Sequence, residues 1–243
     1  MQQKKLLSNK VILITGASKG IGRAVGLECA ANGAHVIITG RTLSDLEKLD
    51  DEINKINGKS TIVELDQLDY PAFPRLSLSI FERWGRLDGF VANAAQLGQL
   101  APMSHIDEKV WNETINVNLN SIWYQIKVFE SILKKSRNGR AVLITSGAAV
   151  GSRPFWGPYA VSKAGLEALG RAWAAENEKT NLKINLFDPG GTATQMRAAA
   201  FPGEDPKTLP TSKEVAKSLI FLLTNKCVSQ GTLFKSRELK KIS

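Results

Sequence analysis

A tyrosine and a lysine four residues apart, Tyr159 and Lys163, are the residues around which the chemistry of this sequence can be organised. They fall in Pro158-Tyr159-Ala160-Val161-Ser162-Lys163-Ala164-Gly165-Leu166. That stretch reads as the opening of a helix, because proline suits the first turn and helix formers follow it. Positions i and i+4 share a helix face, so the phenol and the ammonium can sit side by side. A cation beside a phenol favours the phenolate and lowers a pKa that is ordinarily about 10, giving a group able to exchange protons near neutrality. The same spacing is common on solvated helix faces, so the pair gains meaning only from the elements that would position it.

Length and composition bound those elements. A chain of 243 residues fits one large α/β domain with a substantial core, or two small ones. Hydrophobic content of 43% and charged content of 23% are ordinary for a globular protein. No run approaches the roughly 18 apolar residues of a membrane span. Residues 1–7 are too short and too polar to serve as a secretory signal, and the expected setting is the cytoplasm. Cys29 and Cys227 lie far apart and read as inert thiols, and no spacing suits a metal. The formal charge of +9 admits a nucleic acid, an acidic protein or a phosphorylated ligand, with a generally basic surface as the plainer account. No stretch interleaves clustered Lys and Arg with aromatics, so neither nucleic acid nor membrane is expected as a partner. The densest basic run is the tail, 235–241, which also holds Glu238.

Along the chain, Val11-Ile12-Leu13-Ile14 is an unbroken apolar run, as a buried parallel strand requires. It runs into Thr15-Gly16-Ala17-Ser18-Lys19-Gly20-Ile21-Gly22 and then a helical pattern over 23–32. Strand, glycine-rich turn and helix are half of a phosphate-binding βαβ unit: glycines let the backbone approach a pyrophosphate, and the helix N-terminus offers it unpaired N–H groups. The spacing is Gly-x-x-x-Gly-x-Gly, which differs from the commoner Gly-x-Gly-x-x-Gly. A second strand, 35–39, ends at Gly40-Arg41-Thr42, where a NAD site would place an acidic residue for the ribose 2′-hydroxyl. Arg41 stands there instead, with Lys19 in the glycine turn, and two cations suit a 2′-phosphate. NADP(H) is therefore preferred over NAD(H).

The alternation continues. A helix over 43–56 precedes a strand over 60–65 that ends at Asp66, and Pro71 and Pro74 fit the first turn of a helix running to about Trp84. Strands follow at 87–91, 141–145, 182–187 and 231–234, with helices at 104–133 (one long, or a short one followed by a long one) and 213–224. Strictly alternating strands and helices predict an α/β, doubly wound Rossmann sheet, mostly parallel and seven-stranded, with helices on both faces and one domain over 1–243.

Taken together, Thr15 to Gly22, Asp66, Asn93-Ala94, Asn118-Leu119, Ser146, Tyr159-x-x-x-Lys163 and Pro189-Gly190 resemble the short-chain dehydrogenase/reductase family in its compact single-domain form. The resemblance runs along nearly the whole chain and includes the interval of thirteen residues from Ser146 to Tyr159. It implies that Tyr159 is the general acid for carbonyl reduction, or the base in the reverse direction, and that Ser146 holds the carbonyl oxygen. It implies further that Lys163 lowers the tyrosine pKa and bonds the nicotinamide ribose, and that Asn118 anchors a water relaying protons to Lys163, or simply ties backbone together. Gly16, Ser18, Lys19, Gly20, Ile21, Gly22 and Arg41 would hold the phosphate end of the cofactor. Asp66 and Gln67 would meet the adenine, Asn93 and Ala94 the middle, and Pro189, Gly190, Thr192 and Thr194 the nicotinamide end.

The sequence departs from the family pattern at three places. Ala92-Asn93-Ala94-Ala95 replaces Asn-Asn-Ala-Gly, and Asp188 stands where Asn is commoner. A charged tail replaces an apolar, glycine-rich terminus that helps build tetramers in many relatives, so a homodimer is a safer expectation than a homotetramer. Segment 190–210 is expected to cover substrate, and Phe155 and Trp156 to give a partly apolar pocket. The resulting expectation is an NADP(H)-dependent oxidoreductase interconverting a small-molecule carbonyl and a secondary alcohol, including a 3-oxoacyl thioester on an acidic carrier. The competing class is a cofactor-binding sensor or scaffold without turnover.

Overall fold

The computed structural model describes residues 5–239. Seven parallel strands form one sheet in the order β3-β2-β1-β4-β5-β6-β7. They are β1 (Val11–Ile14), β2 (His35–Gly40), β3 (Lys59–Glu64), β4 (Gly89–Ala92), β5 (Arg140–Ile144), β6 (Lys183–Asp188) and β7 (Leu233–Lys235). All of β1, β4 and β5 is buried, which is why those segments read as continuous apolar runs.

Side chains alternate across the sheet and divide the core in two. Ile12 and Ile14 face a cluster built with α1 (Gly20–Ala31), α2 (Leu43–Lys55) and α8 (Ser212–Leu223). Val11 and Leu13 face the opposite cluster, built with α3 (Ala72–Trp84), α5 (Ser121–Lys134) and α6 (Gly157–Glu176). The strand order reverses at β1, which pairs with β2 on one side and β4 on the other. A crevice opens at such a reversal, at the carboxyl ends of the strands.

The expected elements are present, with ends displaced by one to three residues. The region expected as one or two helices over 104–133 takes the divided form. A single 3₁₀ turn, Met103–His105, precedes α4 (Glu108–Ile115); a π-helical turn, Asn116–Asn120, then joins α4 to α5. Asp107 caps α4 by accepting from the Val110 amide at 3.1 Å. The π turn, a rare insertion that marks functional sites in helices, contains Asn118.

Two short helices lie where only loop or tail was expected. α7 (Gln195–Ala200) sits inside the segment 190–210, and α9 (Ser236–Leu239) follows β7. The basic tail is accordingly part of the fold: Lys235 closes β7, and Ser236 and Leu239 are buried, with Ser236 Oγ 3.0 Å from Ser218 Oγ. Lys240 and Lys241 lie outside the described residues.

Candidate active site

The glycine turn is shaped by backbone contacts that leave no room for side chains. Gly16 has a φ of +63°, and a Cβ there would stand 2.8 Å from Ala94 Cα. A Cβ on Gly22 would come within 2.3 Å of both Asn93 Nδ2 and Gly16 O. Asn93 is the clamp: its amide donates to Thr15 O at 2.9 Å and Gly16 O at 3.1 Å, while Thr15 Oγ1 accepts from the Asn93 and Ala94 amides at 3.1 Å. Asn93 thus sits behind the turn as its structural brace, and Ala94 and Asn93 also border the cleft above it. Lys19 is the N-cap of α1 but has no side-chain capping bond, which leaves the helix N-terminus facing the cleft.

That cleft has a volume of about 1,100 Å³ and runs from Arg41 at the end of β2 to Tyr159 and Lys163 on α6. Gly16, Ser18, Lys19, Gly20 and Ile21 line one end, together with Asp66 and Gln67 beyond β3. Asp66 Oδ1 accepts from the Leu68 amide at 2.9 Å, and Gln67 is buried with Oε1 accepting from Gln125 at 2.8 Å. Pro189 and Thr194 line the other end; Thr194 also caps α7 by accepting from the Arg197 amide. Gly22, Gly190 and Thr192 do not reach the wall of the cleft. Gly22 is packed behind the turn, Gly190 makes a left-handed bend at φ +70°, and buried Thr192 bonds back to Gly190 O at 3.3 Å. Sequence reasoning passed over Gln96, Leu97 and Met196, which also line the cleft. Their side-chain types carry no motif; only the chain path brings them there.

At the α6 end, Ser146 closes β5 and caps the 3₁₀ turn Gly147–Ala149 by accepting from the Ala148 amide at 3.2 Å. Its hydroxyl stands close enough to the Tyr159 phenol to favour the ionised form. Burial pushes the Tyr159 phenol up to about 12; Ser146 opposes that rise, and the Asp188 carboxylate adds to it. In the protein on its own, burial outweighs any lowering of the Tyr159 pKa by Lys163. Lys163 is 2% exposed and donates from Nζ to Ile144 O at 2.7 Å, with Nζ over the Tyr159 ring, 5.8 Å from its centroid. Burial lowers its own pKa to about 8, which leaves it largely protonated at neutral pH.

Asn118 is fully buried and has its amide engaged on every side. Oδ1 accepts from the Gln96 amide at 2.8 Å, and Nδ2 donates to Gln96 O at 2.9 Å and Ser162 Oγ at 3.0 Å. Its side chain thus ties the loop after β4 to α6, between Tyr159 and Lys163. A second brace, not anticipated, is Glu167. This buried carboxylate accepts from Thr145 Oγ1 at 3.0 Å and from Arg171 at 2.6 Å, locking the residue before Ser146 to the Tyr159 helix. A Glu four residues beyond Lys163 was a visible signal, but nothing in the sequence placed Thr145 opposite it.

A parallel sheet that reverses at β1, a glycine-braced helix N-terminus and a Ser–Tyr–Lys group across one cleft define a nucleotide-dependent oxidoreductase fold. The sequence profile of the short chain dehydrogenase family matches residues 10–205. The uncharacterised oxidoreductase YciK of Escherichia coli is 35% identical over 224 residues, 91% of this chain and 88% of that protein. The 3-oxoacyl-[acyl-carrier-protein] reductase FabG of Thermotoga maritima is 32% identical over 190 residues, 78% of this chain and 77% of that one. A short chain dehydrogenase from Shigella flexneri, solved in complex with NADP, superposes with a TM-score of 0.93 at 33% identity, covering 97% of this chain and 100% of that one. The chain belongs to the short-chain dehydrogenase family and is an oxidoreductase.

Proposed function

We propose that the protein is an NADPH-dependent carbonyl reductase in which Tyr159 delivers the proton. One observation carries the reading: Tyr159 is a buried phenol in the wall of the cleft, beside Ser146 and Lys163, with its pKa pushed up to about 12. The phenol is protonated at neutral pH and so carries the proton that carbonyl reduction needs.

The residues present fit NADP(H). The turn from Gly16 to Gly22 leaves backbone exposed where a Cβ would collide, and the α1 N-terminus faces the same space. Arg41 and Lys19 border the cleft beside it; β2 ends without an acidic residue, which supports a 2′-phosphate and hence NADPH over NADH. Asp66 and Gln67 would take the adenine end, and Pro189 and Thr194 the nicotinamide end. When bound, the cofactor supplies the hydride. Ser146 donates to the carbonyl oxygen and orients it. Tyr159 gives its proton to the oxygen as negative charge develops there, a step worth about 10²–10⁴ in rate. Lys163 holds the ribose and, as a cation, offsets the phenolate left behind. Asn118 fixes the spacing between α6 and the loop after β4.

The substrate is a small-molecule ketone or aldehyde. The FabG relative and the basic charge support 3-oxoacyl thioesters as one class; equal rates on free and carrier-linked thioesters would count against an acidic carrier protein. Exposed Trp123 on α5 and Val161 on α6 support a homodimer across those helices. Among the described residues no helix is long and apolar enough to cross a membrane, which accords with a cytoplasmic setting. The reading is tested on a carbonyl panel with NADPH and NADH, with Tyr159→Phe alongside. Equal turnover by the two proteins removes Tyr159 as the acid, and tighter binding of NADH removes the 2′-phosphate argument.

A further inference from the structure

Beside Tyr159 stands a wall of rings. The Trp156 ring lies edge-on to Tyr159 at 5.8 Å and tilted against Phe201 at 5.6 Å. Phe201 is held from behind by Arg197, whose guanidinium sits 3.7 Å from its centroid and forms a two-oxygen ion pair with Glu204. The segment 194–204 is thereby closed into a clasp that presents Phe201 toward Trp156.

The rim beside this wall is apolar and exposed. Phe155 is 56% exposed at a φ of +72°, a conformation that a bulky residue adopts only under strain. Its carbonyl accepts from the Ala101 amide at 3.2 Å, which joins the loop after β4 to the start of α6. Met103 packs on Gly157, where a Cβ would stand 2.1 Å from its sulfur, yet Met103 is 60% exposed. An exposed cluster of apolar side chains beside a reactive group marks a surface that binds apolar matter.

One cation overlooks the wall. The Arg153 guanidinium lies 5.5 Å from the Trp156 ring and 6.0 Å from Phe201. Arg197 is neutralised by Glu204, whereas Arg153 is exposed and, among the described residues, makes ring contacts only. At the opposite side, by Ser146, the charge is negative: Asp188 Oδ2 faces Gly147, where a Cβ would stand 3.6 Å away. An anionic group on the substrate would be attracted to Arg153 at the rim.

We propose that the substrate is a carbonyl compound with a flat apolar body, which lies along Trp156 and Phe201, and with an anionic group remote from the carbonyl, which meets Arg153. The proposal narrows the substrate class of the reductase reading and rests on it for the orientation of the carbonyl.

The wild-type protein with NADPH is assayed on 2-acetylnaphthalene and on 6-acetyl-2-naphthoate, and 2-naphthoate is titrated calorimetrically into the protein–NADP complex. The carboxylated ketone is expected to show a kcat/KM about ten-fold higher, as one charge-assisted contact provides. Arg153→Ala removes that preference and weakens 2-naphthoate binding about ten-fold; Arg153→Lys restores part of both. Equal kcat/KM on the two ketones, equal slowing of both by Arg153→Ala, or 2-naphthoate binding that is absent or indifferent to Arg153 overturns the proposal. Binding of 2-naphthoate through Arg153 without reduction of either ketone supports the pocket and counts against the reductase reading, so the two failures are distinct.

Discussion

The two ends of the cleft are built by different means. At the glycine turn the shape is made by backbone: Gly16 and Gly22 lie against Ala94 and Asn93 so closely that one added carbon would collide. At the α6 end the shape is made by side chains and their charges: burial, Ser146 and Asp188 set the proton affinity of Tyr159, and burial sets that of Lys163. Steric fit of backbone is nearly all-or-none, whereas electrostatic tuning is graded. The first end should therefore fail on small changes of shape, and the second should shift its pH response on changes of charge with little loss of fold.

The strongest contrast is between Tyr159→Phe and the glycines. Removing the phenol oxygen is expected to lower kcat by about 10²–10⁴-fold while the NADPH dissociation constant, read by fluorescence, stays within about two-fold. Gly22→Ala should do the reverse. A Cβ 2.3 Å from Asn93 Nδ2 and Gly16 O forces the turn open, so NADPH binding falls at least ten-fold and the melting temperature drops, at about 1–3 kcal/mol of overpacking. If Gly22→Ala bound NADPH normally, the cradle would not be the rigid end described.

Arg41→Glu tests charge at the backbone-built end. It should cut the NADPH-to-NADH preference about 10–100-fold, the size of one or two charge-assisted contacts, with the fold intact. An unchanged preference would place the 2′-phosphate elsewhere.

Asp188→Asn tests charge at the other end. The carboxylate raises the Tyr159 pKa, so its removal favours the phenolate and moves the alkaline limb of the rate profile to lower pH. A limb that moved to higher pH, or not at all, would remove Asp188 from the proton balance. The smallest effect concerns Lys163 and stability. Its folded pKa of about 8 lies below the ordinary 10.5, so its buried charge opposes folding below about 8, and this opposition fades as pH rises through that window. Urea midpoints of the cofactor-free protein should show Lys163→Met gaining on the wild type at pH 7 and losing that advantage by about pH 10. An advantage independent of pH would mean that Lys163 is not buried as a charge.

Much of this molecule was legible before any coordinates. Each buried strand is an apolar run bounded by glycine, asparagine or a charge, so the order of elements and the parallel sheet followed from local pattern. The glycine turn and the Ser146, Tyr159 and Lys163 set were legible because their spacing is itself the signal. Less visible were α7 and α9, too short for a periodic pattern, and the division of 104–133 by the π turn at Asn116–Asn120.

The sequence by itself determined which residues could do chemistry and in what order the strands carry them to one edge, because both depend on neighbours along the chain. Only the tertiary structure decided how those residues are charged and braced. The Lys163 ammonium bonds Ile144 O and is desolvated, Asn118 spends its amide on Gln96 and Ser162, and Glu167 locks Thr145. Each of these contacts joins elements at least 19 residues apart. Burial and long-range pairing set proton affinities, and neither is written in local spacing. Tyr159 and Lys163 are one turn apart on α6, yet the fold sets Ser146 and Asp188 against the phenol and bonds the lysine to Ile144 O at the end of β5.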